Sequence, residues 1–159
     1  MPKSTLQHEI RQKRAFDHPA AEAYLNLMRT HCVLTAIQAS VFKDFGLSAP
    51  LYNILRILRG AGKDGIRVQE IGDRMITREP DTTRLVDRLE KAGLAKRERT
   101  TEDRRVVLVH ITDPGLKLLD RMEAPVRDSL DRMLGHMNRK DLDSISRLME
   151  AARAPHGPA

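Results

Sequence analysis

The stretch Glu79–Ile111 reads EPDTTRLVDRLEKAGLAKRERTTEDRRVVLVHI. In its first half Leu85, Val86 and Leu89 recur at helical spacing among charged residues, and Gly93 stands where such a helix stops. The spacing predicts a helix from about Glu79 to Ala92, with Pro80 in its first turn. The second half is two strand-like runs, Leu94–Thr100 and Arg105–Ile111, either side of the polar Thr101-Glu102-Asp103-Arg104. Val106, Leu108 and His110 alternate there with Val107, Val109 and Ile111, the period of a hairpin.

Upstream, Ile66–Val68 reads as a short extended piece leading into a helix that carries Ile71 and Met75, closed by a tight connection at Ile76-Thr77-Arg78. A short helix, a tight turn, a second helix and an immediate hairpin make a winged helix-turn-helix. Further out, a long helix is predicted from Pro19 to Phe45, ended by Gly46. Another follows Ser48 with Leu51, Ile54, Leu55 and Leu58 as its buried stripe. After the hairpin, Thr112 caps a helix whose apolar stripe runs from Leu116 through Leu130 to Met137, with a kink expected at Pro125. A last helix spans about Arg139–Ala152. The fold class is mainly α with a small β-hairpin wing: a winged helix-turn-helix lobe plus a helical dimerisation platform. The expected organisation is an N-terminal arm (1–17), a dimerisation region (18–46 and 112–153), the lobe (47–111) and a flexible tail (154–159).

At 159 residues and a net charge of +6, the chain is long enough for a proper core and basic enough to seek polyanions. Twenty of its 28 basic residues are Arg, whose planar fork suits phosphate and guanine; a GC-rich coding bias produces the same excess. Aromatics are 3% of the chain, too few for the stacking platforms of single-strand binders. No apolar run approaches a membrane span and the first twenty residues are no signal peptide, so a cytoplasmic protein without membrane contact is expected. The lone Cys32 and six scattered histidines offer neither a disulfide nor a zinc site, and no cofactor or metal is expected. Gly60–Gly65 satisfies Gly-x-Gly-x-x-Gly, but it ends a helix and opens a strand stub, the reverse of a dinucleotide fingerprint. No catalytic motif stands out, and no enzyme is expected.

On the second helix of the motif, Thr82, Leu85, Val86 and Leu89 share one face. Asp81, Arg84, Arg88 and Lys91 lie opposite, with Thr83 at the edge. Arg84 and Arg88 are one turn apart and able to enter one major groove, where Arg pairs with guanine and Thr meets a base edge or a thymine methyl. An ordinary solvated face would carry the same charges. The expected DNA-binding set is Arg78, Asp81, Thr83, Arg84 and Arg88, joined on the wing by Arg97, Arg99, Asp103, Arg104 and Arg105. An ordinary polar hairpin tip competes with that reading of the wing.

Three motifs carry a resemblance. Thr83-Arg84-Leu85-Val86-Asp87-Arg88-Leu89-Glu90-Lys91-Ala92-Gly93-Leu94 resembles the recognition helix and its exit in the multiple-antibiotic-resistance regulator (MarR) family. Asp103-Arg104-Arg105 is similar to that family's Asp-x-Arg wing tip. Thr112-Asp113-Pro114-Gly115 is similar to its Thr-x-x-Gly start of the long dimerisation helix. The resemblance covers roughly Leu47 to Met122. It implies a homodimeric regulator of transcription, usually a repressor, that binds a pseudo-palindromic double-stranded operator. It also implies release by a small effector, often phenolic. Arg105 sits where the family's wing Arg enters the minor groove, and Asp103 would orient it.

Tyr24, Met28, His31, Tyr52 and Arg56 are the candidate effector-binding residues; packing and surface charge explain them equally well. Cys32 lacks a resolving partner and is expected to be a small buried hydrophobe. A redox-responsive regulator using Cys32 and a winged-helix module that binds another protein are the alternatives.

Overall fold

The computed structural model describes residues 5–77, 79–99 and 106–157. Two compact units divide the chain, Met1–Ile37 and Gln38–Ala159. In the first, helix α1 (Thr5–Glu9) is followed by the start of the long helix α2 (Pro19–Asp44). The Gln7 amide donates to the carbonyls of Gln12 and Arg14 at 3.4 and 2.9 Å, and the Gln12 amide donates to Arg14 at 2.9 Å. These bonds tie down the segment between the helices, where the sequence suggests only a loose arm or short helix.

In the second unit, α3 (Ala49–Ala61) starts at Ser48 with Pro50 in its first turn, and Leu51, Ile54, Leu55 and Leu58 are buried along one face. Burying each such side chain is worth about 1.5–3 kcal/mol. A 3₁₀ turn, Gly62–Asp64, then leads to Gly65 at φ 68°, a left-handed conformation that favours glycine. Any Cβ there would lie 2.5 Å from the His110 ring, so the position also requires close approach. The glycine-rich run is thus a helix exit and turn.

The extended piece expected at Ile66–Val68 is a single bridge between Ile66 and Val109, because Val68 already opens helix α4 (Val68–Arg74). The Glu70 carboxylate starts that helix by accepting from the Arg67 N–H at 3.2 Å. Helix α5 (Thr82–Lys91) begins three residues later than the expected Glu79. Asp81, not Pro80, sets its start: the Asp81 carboxylate accepts from the Arg84 N–H at 3.0 Å, which leaves Pro80 ahead of the helix.

Strands β1 (Ala95–Arg99) and β2 (Val107–Ile111) pair antiparallel, with Arg97 opposite Val109. Helix α6 (Asp113–Leu134) runs as one element through Pro125. Helix α7 (Arg139–Arg153) is capped by Asn138, and the tail expected to fray continues as a 3₁₀ turn, Ala154–His156. The core is where α3, α4, α5, the hairpin and α6 meet, at Leu55, Ile71, Val86, Leu89, Val109 and Leu119. The chain is mainly helical with a two-stranded wing, as the sequence reading holds.

Much of the apolar surface on the longer helices finds no cover. Among the residues of α2 only Val41 and Phe42 are buried, whereas Tyr24 is 60% exposed. Leu130 on α6 is 48% exposed, and α7 buries none of its residues. Cys32 shares this condition. Expected to be buried, it is exposed, because the buried end of α2 starts nine residues further on.

Candidate nucleic-acid interface

Helix α5 has three faces, set by the 100° advance per residue. Val86 and Leu89 are buried and Leu85 half-buried against the core; Asp81, Thr83, Arg84, Arg88 and Lys91 are exposed. A third, narrow flank carries Asp87 and Glu90. The expected division between packing and exposed residues is therefore the observed one. Arg84 keeps 83% of its side chain exposed, although its Nε lies 3.5 Å from Asp81 Oδ2. An exposed pair of this kind contributes only about 0–1 kcal/mol, so it does not hold the guanidinium away from a ligand. Asp81 is occupied as the helix cap. Among the described residues no ion pair engages Arg88 or Arg99.

Arg97 differs from the other candidates. Its side chain is only 23% exposed, with Nη1 at 2.7 Å from Asp87 and 2.6 Å from Glu90. Its Nη2 donates to the Thr83 carbonyl at 3.4 Å, and its backbone N–H donates to Glu90 at 3.1 Å. Burial on its own lowers the Arg97 pKa; hydrogen bonds and charge attraction from Asp87 and Glu90 outweigh it and hold the guanidinium above its ordinary range. A basic residue expected to face DNA is thus engaged by the protein's own carboxylates. Beside it on the wing, Lys96 and His110 flank Glu98 at 3.1 and 3.8 Å, and the Lys96 hydrogen bond, then its charge, keep the Glu98 carboxyl below its usual value.

Two features of the turn before α5 escape a reading of sequence pattern. The Asn53 side-chain oxygen accepts from the Ile76 N–H at 3.0 Å, tethering the turn to α3. Ile76 itself is 84% exposed, an apolar side chain left in solvent beside the charged helix. A half-buried Asn on an otherwise apolar helix face is the signal that points to the tether. Arg78, Asp103, Arg104 and Arg105 lie outside the described residues.

The five candidate effector residues are split between the units. Tyr24, Met28 and His31 belong to Met1–Ile37 and are exposed. Tyr52 and Arg56 come together on α3, where Arg56 Nη1 donates to the Tyr52 hydroxyl at 3.5 Å. The Tyr52 ring stacks on Phe42 with centroids 4.7 Å apart. Both residues line an open recess of about 230 Å³ between α3 and α6, with Arg59, Glu123, Arg127 and Leu130 on its other walls. Among the described residues no helix is long and apolar enough to cross a membrane.

The MarR family model matches residues 47–107. A crystallised MarR transcription factor from Planctomyces limnophilus is 47% identical, covering 86% of this chain and 98% of its own, with a TM-score of 0.67. The HTH-type transcriptional repressor IacR of Pseudomonas putida is 28% identical over 78% of this chain and 73% of its own length. Sco3205, a MarR family regulator from Streptomyces coelicolor solved in complex with DNA, shares the fold at 20% identity and a TM-score of 0.79, covering 93% of this chain and 95% of its own.

Proposed function

The chain belongs to the MarR family of DNA-binding transcriptional regulators, and from that premise we propose that it acts in the cytoplasm as a homodimeric repressor of a pseudo-palindromic operator. The observation that carries the reading is the face of α5, where Thr83, Arg84 and Arg88 stand exposed on a helix whose opposite side is locked into the core. Arg84 and Arg88 would contact guanines, and Thr83 a base edge or thymine methyl. Arg78 and Arg99 would meet phosphates. Arg105 would enter the flanking minor groove, with Asp103 and Arg104 shaping the tip.

The dimer is supported by the uncovered apolar residues of α2, α6 and α7, which a second copy would bury; residues 18–46 and 112–153 would form the platform and 47–111 the reading lobe. Repression is supported by the likeness to IacR, which is named a repressor. The recess holding Tyr52, Arg56, Arg59 and Arg127 is the place for an effector, with arginines for a carboxylate and a phenol hydroxyl for a hydrogen bond.

Selection of sites from a random duplex pool by the purified protein tests the reading. The expected product is an enriched inverted repeat with half-sites about 10 bp apart, centre to centre. Binding that falls steeply with salt and enriches nothing would mean a nonspecific basic surface and would end the proposal.

A further inference from the structure

Arg97 sits on β1, yet among the described residues every polar contact of its guanidinium is to α5. Thr83, Asp87 and Glu90 are spaced four and three apart, so they form a single flank of that helix, between its buried stripe and its exposed basic face. Asp87 and Glu90 bring two negative charges next to the basic face of α5 that would meet DNA. A lone carboxylate there would oppose DNA by charge. Both are within 2.7 Å of the same guanidinium, which is itself largely screened from solvent. The Arg97 N–H to Glu90 bond adds a backbone tie, so strand and helix are joined at two levels.

We propose that Arg97 is a positioning residue for DNA reading: it touches no DNA, offsets one of the two negative charges that Asp87 and Glu90 bring, and joins the recognition helix to the wing as one reader. This rests on the assignment of α5 as the reading helix. Arg suits the role better than Lys, because Nη1 serves both carboxylates while Nη2, on the other arm of the fork, reaches the Thr83 carbonyl, a second position that a single ammonium nitrogen lacks. Strand β1 and helix α5 are then already joined before binding, which lowers the ordering cost that binding has to meet.

The test is a double-mutant cycle on the full-length protein, with its selected duplex as the ligand across a range of salt. The variants are Arg97→Gln, the pair Asp87→Asn with Glu90→Gln, and the triple. In the parent background Arg97→Gln is expected to weaken binding about tenfold or more, and in the background lacking both carboxylates less than about threefold. An equal loss in both backgrounds, with the salt slope falling by about one, would show a phosphate contact and overturn the proposal. So would no loss in either.

If Arg97→Gln does not fold, Arg97→Lys decides. A phosphate contact tolerates Lys at near-parent affinity; the strut does not. Should the parent protein select no duplex, the functional reading fails on its own account, and the strut is read from thermal unfolding without DNA. There, a Tm loss from Arg97→Gln that vanishes in the carboxylate-free background keeps the strut; an equal loss in both removes it.

Discussion

Thr112 and Gly93 are nineteen residues apart, and the Thr112 hydroxyl donates a 2.6 Å hydrogen bond to the Gly93 carbonyl. The same oxygen accepts from the Gly115 N–H at 3.2 Å, capping α6. One side chain thereby fastens the exit of α5 to the entrance of α6. Thr112→Ala removes both bonds and is expected to lower stability by about 1–2 kcal/mol, seen as a shift in urea midpoint. Thr112→Ser keeps both and should stay near the parent. An alanine variant as stable as the parent would show that the cap is replaceable by water.

Gly115 occupies the first turn of α6 in contact with the preceding hairpin. A Cβ there would overlap the Leu94 carbonyl oxygen and lie 2.8 Å from Ile111 Cγ1. Because the main obstacle is backbone, Gly115→Ala is expected to cost about 1–3 kcal/mol despite the higher helix propensity of alanine. Thermal unfolding measures it; a rise in Tm would mean the contact relaxes at no cost.

Arg84→Ala is expected to cost about 1–3 kcal/mol on the selected operator and to relax base choice at one position. Competition binding with operators varied base by base reads this directly. A loss spread evenly over all sequences would reassign Arg84 to the phosphates.

Leu130→Asp places a charge on an apolar residue that is half-exposed in a single chain. If a second copy covers it, the variant should sediment as a monomer and bind the operator at least about tenfold more weakly, since half of the contacts go. Dimeric behaviour with parental affinity would place the interface elsewhere.

Elements with strong period and punctuation were legible in the sequence. Leu51, Ile54, Leu55 and Leu58 are buried as their spacing predicts, and Gly93 and Thr112 bound the hairpin. The start of α5 was harder, because Pro80 and Asp81 are both good opening residues and only the hydrogen bond from the Arg84 N–H decides between them. The sign of Arg97 suggests DNA, while its intramolecular contacts depend on strand pairing, which the sign does not reveal. With Arg97 opposite Val109, the side chain turns toward α5. An Asp and a Glu three residues apart on the preceding helix were the available clue. The exposure of Cys32 has no local signal, since burial is decided by long-range packing and not by a residue's neighbours in the sequence.

The three-way clasp of Arg97, Asp87 and Glu90 also bears on how operator preference can be re-engineered. The recognition helix is not an interchangeable cartridge. A graft of residues 82–91 lacking both acids would strand a positive charge against the transplanted helix, and a graft of the hairpin alone would leave two negative ones. The unit that can be moved with cap and clasp both intact is the continuous segment from Asp81 through Arg99, cap, helix and first strand together.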